Sequence, residues 1–148
     1  MKNIKKLQEK LVYLAKESLR KPYKYGAKLS EAPKCFDCSS FVQYVYKKIG
    51  VNLPRTALEQ AHIGKKVKPK KENLQIGDLI FIKGIVGRYN QEFPQGIGHV
   101  AIYIGDGKII QAKYQKKKDV SDGGEVRIDT VTKILNRKDL VVIKRVLR

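Results

Sequence analysis

The sequence predicts an α+β fold in which N-terminal helices pack on a C-terminal antiparallel β-sheet, and three features carry that expectation. Apolar residues recur at helical steps up to Ile49, short strand-length apolar runs follow from Leu79 onward, and glycine-containing turns separate those runs. At 148 residues the chain has room for a single domain spanning 1–148 with its own core.

Ile4, Leu7, Leu11, Leu14, Ala15 and Ser18 mark one face of an opening helix that ends before Pro22. A loop through Tyr23 and Gly26 leads to Cys35 and Cys38. From Asp37 or Cys38 a second helix is expected to run to Ile49, with Phe41, Val42 and Val45 inward, and to stop at Gly50. Thr56-Ala57-Leu58-Glu59 has the spacing of a capping box opening a short helix that stops at Gly64. Strands are expected at Leu79–Ile82, His99–Ile104, Lys108–Ala112, Glu125–Val131 and Leu140–Leu147. The connections Lys83–Ile97 and Lys113–Gly124 are the places for loops that shape a substrate site.

Thirty-two Lys and Arg against fourteen Asp and Glu give a formal charge of +18, which suits contact with nucleic acid, anionic lipid or an anionic wall polymer. No recognised nucleic-acid motif accompanies the charge, so polyanion contact is expected to be nonspecific. No apolar run is long enough for a transmembrane segment, and the basic N-terminus lacks the apolar stretch of an export signal. The compartment stays open between the cytoplasm and release by another route.

Phe36-Asp37-Cys38-Ser39-Ser40-Phe41-Val42 puts a cysteine at the mouth of a helix, and Gly98-His99-Val100-Ala101-Ile102-Tyr103-Ile104-Gly105 puts a histidine at the start of a strand. A helix N-terminus and a nearby imidazole lower a thiol's pKa, and the free N–H groups there can donate to an oxyanion. Cys38 is therefore the candidate nucleophile and His99 its general base. A small buried cysteine at a helix start is the competing reading. If Gly105-Asp106-Gly107 forms a three-residue loop, Ile104 pairs with Lys108 and Ala101 with Gln111, so Gln111 becomes a diagonal neighbour of His99 and can orient its ring. A two-residue turn shifts the register and sends Gln111 to the other face.

Two rivals use the same residues. Cys35-Phe36-Asp37-Cys38 has thioredoxin-like redox spacing but lacks the preceding strand and βαβ pattern. Cys35, Cys38, His62 and His99 make a possible zinc set without the usual finger spacing. Neither a metal nor another cofactor is expected.

These motifs, with Pro22-Tyr23-x-x-Gly26, Leu53-Pro54-Arg55, Gln60 with Gly64, and Gly77-Asp78-Leu79-Ile80-Phe81, resemble in order and spacing the NlpC/P60 family of papain-like cysteine peptidases. The resemblance runs from about Leu11 to Ala112. It implies a papain-like fold, Cys38 as nucleophile, His99 as base and a third polar residue at Gln111, where many relatives carry a second histidine. It also implies that Tyr23 lies beside the thiol and that Asp37 and Ser39 hold the amine of a peptidoglycan stem peptide, although both can equally cap the helix. Ser40 replaces a usual glycine and could crowd the helix start, and the segment from Gly26 to Asp37 is longer than usual. The order cysteine, histidine, polar residue fits the unpermuted branch of the clan.

The expected activity is hydrolysis of a stem-peptide amide next to a D-glutamyl residue, through an acyl-thioester, by a monomer acting on peptidoglycan or muropeptides. A noncatalytic polyanion- or wall-binding module and a related amidase or acyltransferase toxin are the alternatives.

Overall fold

The computed structural model describes residues 3–85, 87–115 and 123–148. Helix α1 spans Ile4–Glu17, with Asn3 accepting the N–H of Lys6 at its start and Leu11 and Ala15 buried beneath it. Helix α2 spans Cys38–Lys48 and buries Phe41, Val42, Val45 and Tyr46. Its beginning is fixed twice. Asp37 and Ser40 cap each other reciprocally, and Phe36, just before the cap, meets Phe41 edge to face with ring centroids 5.5 Å apart, a hydrophobic staple. Gly50, at φ +85°, ends the helix in the left-handed conformation that glycine adopts without a Cβ penalty.

Six strands form one antiparallel sheet in the order β1-β6-β2-β3-β4-β5: Lys65–Val67 (β1), Leu79–Ile82 (β2), His99–Gly105 (β3), Lys108–Tyr114 (β4), Gly124–Thr130 (β5) and Leu140–Arg145 (β6). Helix α2 packs on β3 and β4, and the core between helices and sheet is filled by Phe41, Val45, Leu79, Phe81, Val100, Ile102 and Ile110 among others. On the opposite face Ile80, Ala101, Tyr103 and Ile109 pack against Ile134 of α4 (Thr132–Leu135). Both faces of the central strands are therefore dry, which explains the unbroken apolar run Leu79-Ile80-Phe81-Ile82.

The α+β order expected from the sequence is the one observed, with differences in detail. Helix α3 covers only Ala57–Gln60 and does not reach Gly64. That glycine is needed elsewhere: a Cβ there would lie 2.4 Å from the carbonyl oxygen of Arg145, where the chain enters β1 alongside β6. Strand β1 and helix α4 were not anticipated. Both are short, and the lysines of β1, usual protection for a sheet edge, conceal any alternating pattern. The expected Lys113–Gly124 connection shortens because β4 runs on to Tyr114, and its residues 116–122 lie outside the described residues.

The β3–β4 hairpin also differs. Gly105, not Ile104, pairs with Lys108 across a two-residue Asp106-Gly107 turn in which both residues have positive φ (52° and 70°). One extra residue in β3 then makes a bulge, beyond which Tyr103 pairs with Ile109 and Ile102 with Ile110. The short turn shifts the register by one and the bulge shifts it back. Gln111 therefore stays on the His99 side.

Candidate active site

The site lies where the first turn of α2 meets the start of β3. A cleft of about 300 Å³ opens there, and Tyr23, Cys38, Ser39, Arg55, Arg88 and Gly98 are among the residues that line it. Cys38 is buried, and its Sγ donates to the carbonyl of Gly98 at 3.7 Å. The thiol thus sits against the residue immediately before His99 while making its hydrogen bond to backbone instead of to the ring. Apo cysteine–histidine pairs are often loose in this way.

The half-buried imidazole of His99 is held from its far side: Nε2 and Gln111 Oε1 are 2.7 Å apart. Gln111 is itself buried, and its Nε2 donates to Asp129 at 2.9 Å. Asp129 is clamped by Arg127 from the same strand, with Lys133 of α4 at 3.7 Å.

Electrostatics depart from the expectation of an activated thiolate. Burial pushes the Cys38 thiol up to about 11, and the neighbouring Asp37 carboxylate adds to the rise. The N–H groups of Val100 and Ser39 and the charge of Arg55 act in the opposite direction but do not prevail. Burial lowers the pKa of His99, and the nearby Lys113 and Arg137 reinforce that, against the hydrogen bond from Gln111 and the charge of Asp139. The resting pair is a neutral thiol and a neutral imidazole. Burial likewise keeps the Tyr23 phenol protonated well above its ordinary range, with Cys38, once ionised, and the Asp37 carboxylate adding to the effect.

Asp37 caps α2 and is gripped by Arg55. Nη2 of the guanidinium donates to Oδ2 at 2.7 Å, and Nη1 donates to Oδ1 at 3.2 Å and to the Ser39 hydroxyl at 2.9 Å. A further donation from Nη2 to the Ala27 carbonyl, at 2.6 Å, ties in the loop before α2. Ser40 does not crowd the helix start, because its hydroxyl accepts the Asp37 N–H as half of the capping pair. Tyr23 is held next to this turn by a parallel bridge to Phe36. Arg88 reaches the cleft because residues 88 and 97 pair through two backbone hydrogen bonds, giving the Lys83–Ile97 connection an ordered base.

Cys38, His99, Gln111, Tyr23, Asp37 and Ser39 are therefore brought to one region, as the sequence suggested. Arg55, Arg88 and Asp129 were missed as site residues. Arg55 stood in a quoted motif with no role, whereas Arg88 and Asp129 arrive through loop and register geometry. The four rival zinc ligands do not assemble. Cys35 donates to Glu31, His62 is held between Glu92 and Asn90, and among the described residues no group of three His, Cys, Asp or Glu side chains is placed to hold a metal. Among the same residues no helix is long and apolar enough to cross a membrane.

A helix-borne cysteine packed against the start of a central strand of an antiparallel sheet, a strand whose first residue is a histidine, defines a domain of papain-like type. The chain belongs to the NlpC/P60 family, whose model matches residues 20–144. It is 35% identical over 112 residues to the gamma-DL-glutamyl hydrolase of Bacillus subtilis (strain 168), a match covering 75% of this chain and 24% of that protein. It is 30% identical over 135 residues to the murein DD-endopeptidase MepH of Escherichia coli (strain K12), covering 88% and 43% respectively. The crystal structure of an NlpC/P60 family protein from Bacillus cereus ATCC 10987 is similar at a TM-score of 0.70 and 30% identity, over 95% of this chain and 40% of that one. The chain spans less than half the length of each of these proteins.

Proposed function

We propose that the protein is a cysteine peptidase that hydrolyses amide bonds of peptidoglycan stem peptides, next to a D-glutamyl residue. The observation that carries this reading is the placement of the Cys38 thiol at the first turn of α2, in the lining of a cleft and against the residue preceding a His99 ring held by Gln111. Membership of the family supports the reading; the murein endopeptidase among the relatives supports the polymer, and the gamma-DL-glutamyl hydrolase supports the glutamyl bond.

The chemistry begins from the neutral pair. The substrate carbonyl docks beside the thiol, Cys38 passes its proton to His99 as sulfur attacks the carbonyl carbon, and the carbonyl oxygen becomes an oxyanion. The Tyr23 hydroxyl and backbone N–H groups at the start of α2 donate to that oxygen. His99 returns the proton to the departing amine, leaving a thioester on Cys38. Water, deprotonated by His99, then adds to the thioester, and collapse releases the acid and restores the thiol. Gln111 holds the ring in position throughout.

The same reading gives the cleft walls their roles. Asp37 Oδ2, which accepts from Arg55, has capacity for a second donor, and with Ser39 it receives the amine of the stem peptide. Arg55 is committed to Asp37, Ser39 and Ala27, so the guanidinium offered to a substrate carboxylate is that of Arg88.

Digestion of purified muropeptides, with product masses, tests activity and bond choice together. Cleavage at the D-glutamyl bond that disappears in Cys38→Ala is the expected result; turnover unaffected by that change overturns the proposal. Salt-sensitive polyanion binding without any hydrolysis would favour the binding-module alternative.

A further inference from the structure

We infer that Asp129 is a positioning residue for this site: through Gln111 it selects which nitrogen of His99 carries the proton. The inference rests on the peptidase reading only for its kinetic consequence. Its structural content stands on hydrogen-bond logic.

The chain of contacts runs across three neighbouring strands. His99 Nε2 faces Gln111 Oε1 at 2.7 Å, and Gln111 Nε2 faces Asp129 Oδ2 at 2.9 Å. A primary amide is ambiguous by itself, since its oxygen and nitrogen ends have nearly the same shape and either can be turned toward a histidine. Asp129 removes the ambiguity. An ionised carboxylate only accepts, so the amide must turn its NH2 toward Asp129 and its oxygen toward His99. An oxygen acceptor at Nε2 requires a proton on Nε2. The lone pair of the neutral ring is thereby assigned to Nδ1, the nitrogen left to receive the thiol proton.

The surroundings keep Asp129 in the acceptor form. Its side chain is only 6% exposed, yet Arg127 donates to both of its oxygens and Lys133 approaches from α4. Burial opposes ionisation, but the Gln111 hydrogen bond and these cations outweigh it and lower its pKa. Gln111 is 5% exposed, which limits exchange of its amide partners with water. The register is equally specific. Gln111 lies directly across from Arg127 and Ile109 across from Asp129, so the amide reaches the carboxylate on the diagonal. A neutral glutamine could orient an imidazole without fixing its tautomer. Backed by Asp129, it fixes both.

Long-range proton–nitrogen NMR of uniformly labelled protein reads the tautomer without substrate. With only two histidines in the chain, His62→Gln identifies the His99 signals. Wild type is expected to show the Nε2–H form, and Asp129→Leu is expected to admit the Nδ1–H form and lower kcat by about 10–100-fold with little change in KM. In a Gln111→Ala background the same leucine substitution is expected to have no further effect on kcat. An Nδ1–H tautomer in wild type, an unchanged tautomer in Asp129→Leu, or an equal loss with and without Gln111 overturns the inference. If the leucine variant does not fold, Asp129→Ser replaces the acceptor-only carboxylate with a shorter hydroxyl that can donate as well as accept, so the orientation of the Gln111 amide is no longer dictated, and carries the same comparison. Because the tautomer is read independently of turnover, its outcome stands whether or not Cys38→Ala abolishes cleavage.

Discussion

Ser40 Oγ accepts the Asp37 N–H at 2.9 Å while Asp37 Oδ1 accepts the Ser40 N–H at 2.8 Å, so the two residues on either side of Cys38 and Ser39 lock the first turn of α2. Both are buried, and no solvent replaces either bond. Ser40→Ala is expected to lower stability by about 1 kcal/mol. Chemical denaturation measures this, and muropeptide turnover at a temperature where the variant is folded should remain within a few-fold of wild type. A large loss of turnover without loss of stability would show that Ser40 acts on chemistry and not on the helix start.

Cys38 should behave as a buried thiol in the free protein. With its pKa pushed up to about 11, the thiolate fraction at pH 7 is about one in ten thousand. In a Cys35→Ala background, iodoacetamide labelling of Cys38 is expected to accelerate with each pH unit up to about 11. A rate already flat between pH 6 and 9 would instead indicate a preformed thiolate–imidazolium pair.

His99 gives the complementary limb. Its pKa is lowered chiefly by burial, so the neutral base persists to a pH below the ordinary histidine value. The acid limb of kcat/KM is therefore expected below that value, and turnover should hold steady through neutrality. An acid limb above the ordinary value would mean that protonated His99 is favoured by the fold, contrary to its surroundings.

Arg55 is expected to resist conservative replacement. Its planar fork serves Asp37, Ser39 and Ala27 together, which a lysine ammonium cannot do. Arg55→Lys should cost about 1–3 kcal/mol by denaturant melting. Stability equal to wild type would show that the Asp37 carboxylate finds its partners elsewhere.

Arg88 is predicted to affect KM and not kcat. Arg88→Ala should raise KM by about tenfold, equivalent to about 1.4 kcal/mol, for a stem peptide with a free α-carboxylate on its D-glutamyl residue. For the amidated peptide the change should be small. Equal effects on both substrates would remove the carboxylate contact.

Local chemistry made α2 legible: Asp37, Phe36, Phe41 and Gly50 all lie within a few residues of the ends they fix. The paired strands could be read because their apolar runs are bounded by glycine turns. Strand β1 could not, since three residues containing two lysines carry no usable period. Asp129 was hidden for a different reason. Its approach to Gln111 depends on the β4–β5 register, which the long lysine-rich connection between those strands does not set, even with Asp122-Gly123-Gly124 at its end. Cys38 was identifiable as a candidate from its helix-start motif, but the depth of its burial, which reverses the expected pKa shift, is a property of packing.

The bulge at the β3–β4 hairpin holds one residue of slack. Tyr103 and Ile109 pair across five intervening residues, and loss of one of these would leave a regular two-residue turn with that pairing, and the place of Gln111 beside His99, unchanged. Loss of Ile110, beyond the bulge, has no such reserve and would turn Gln111 to the other face of the sheet. Two deletions that look equally minor in a length comparison would thus have opposite consequences.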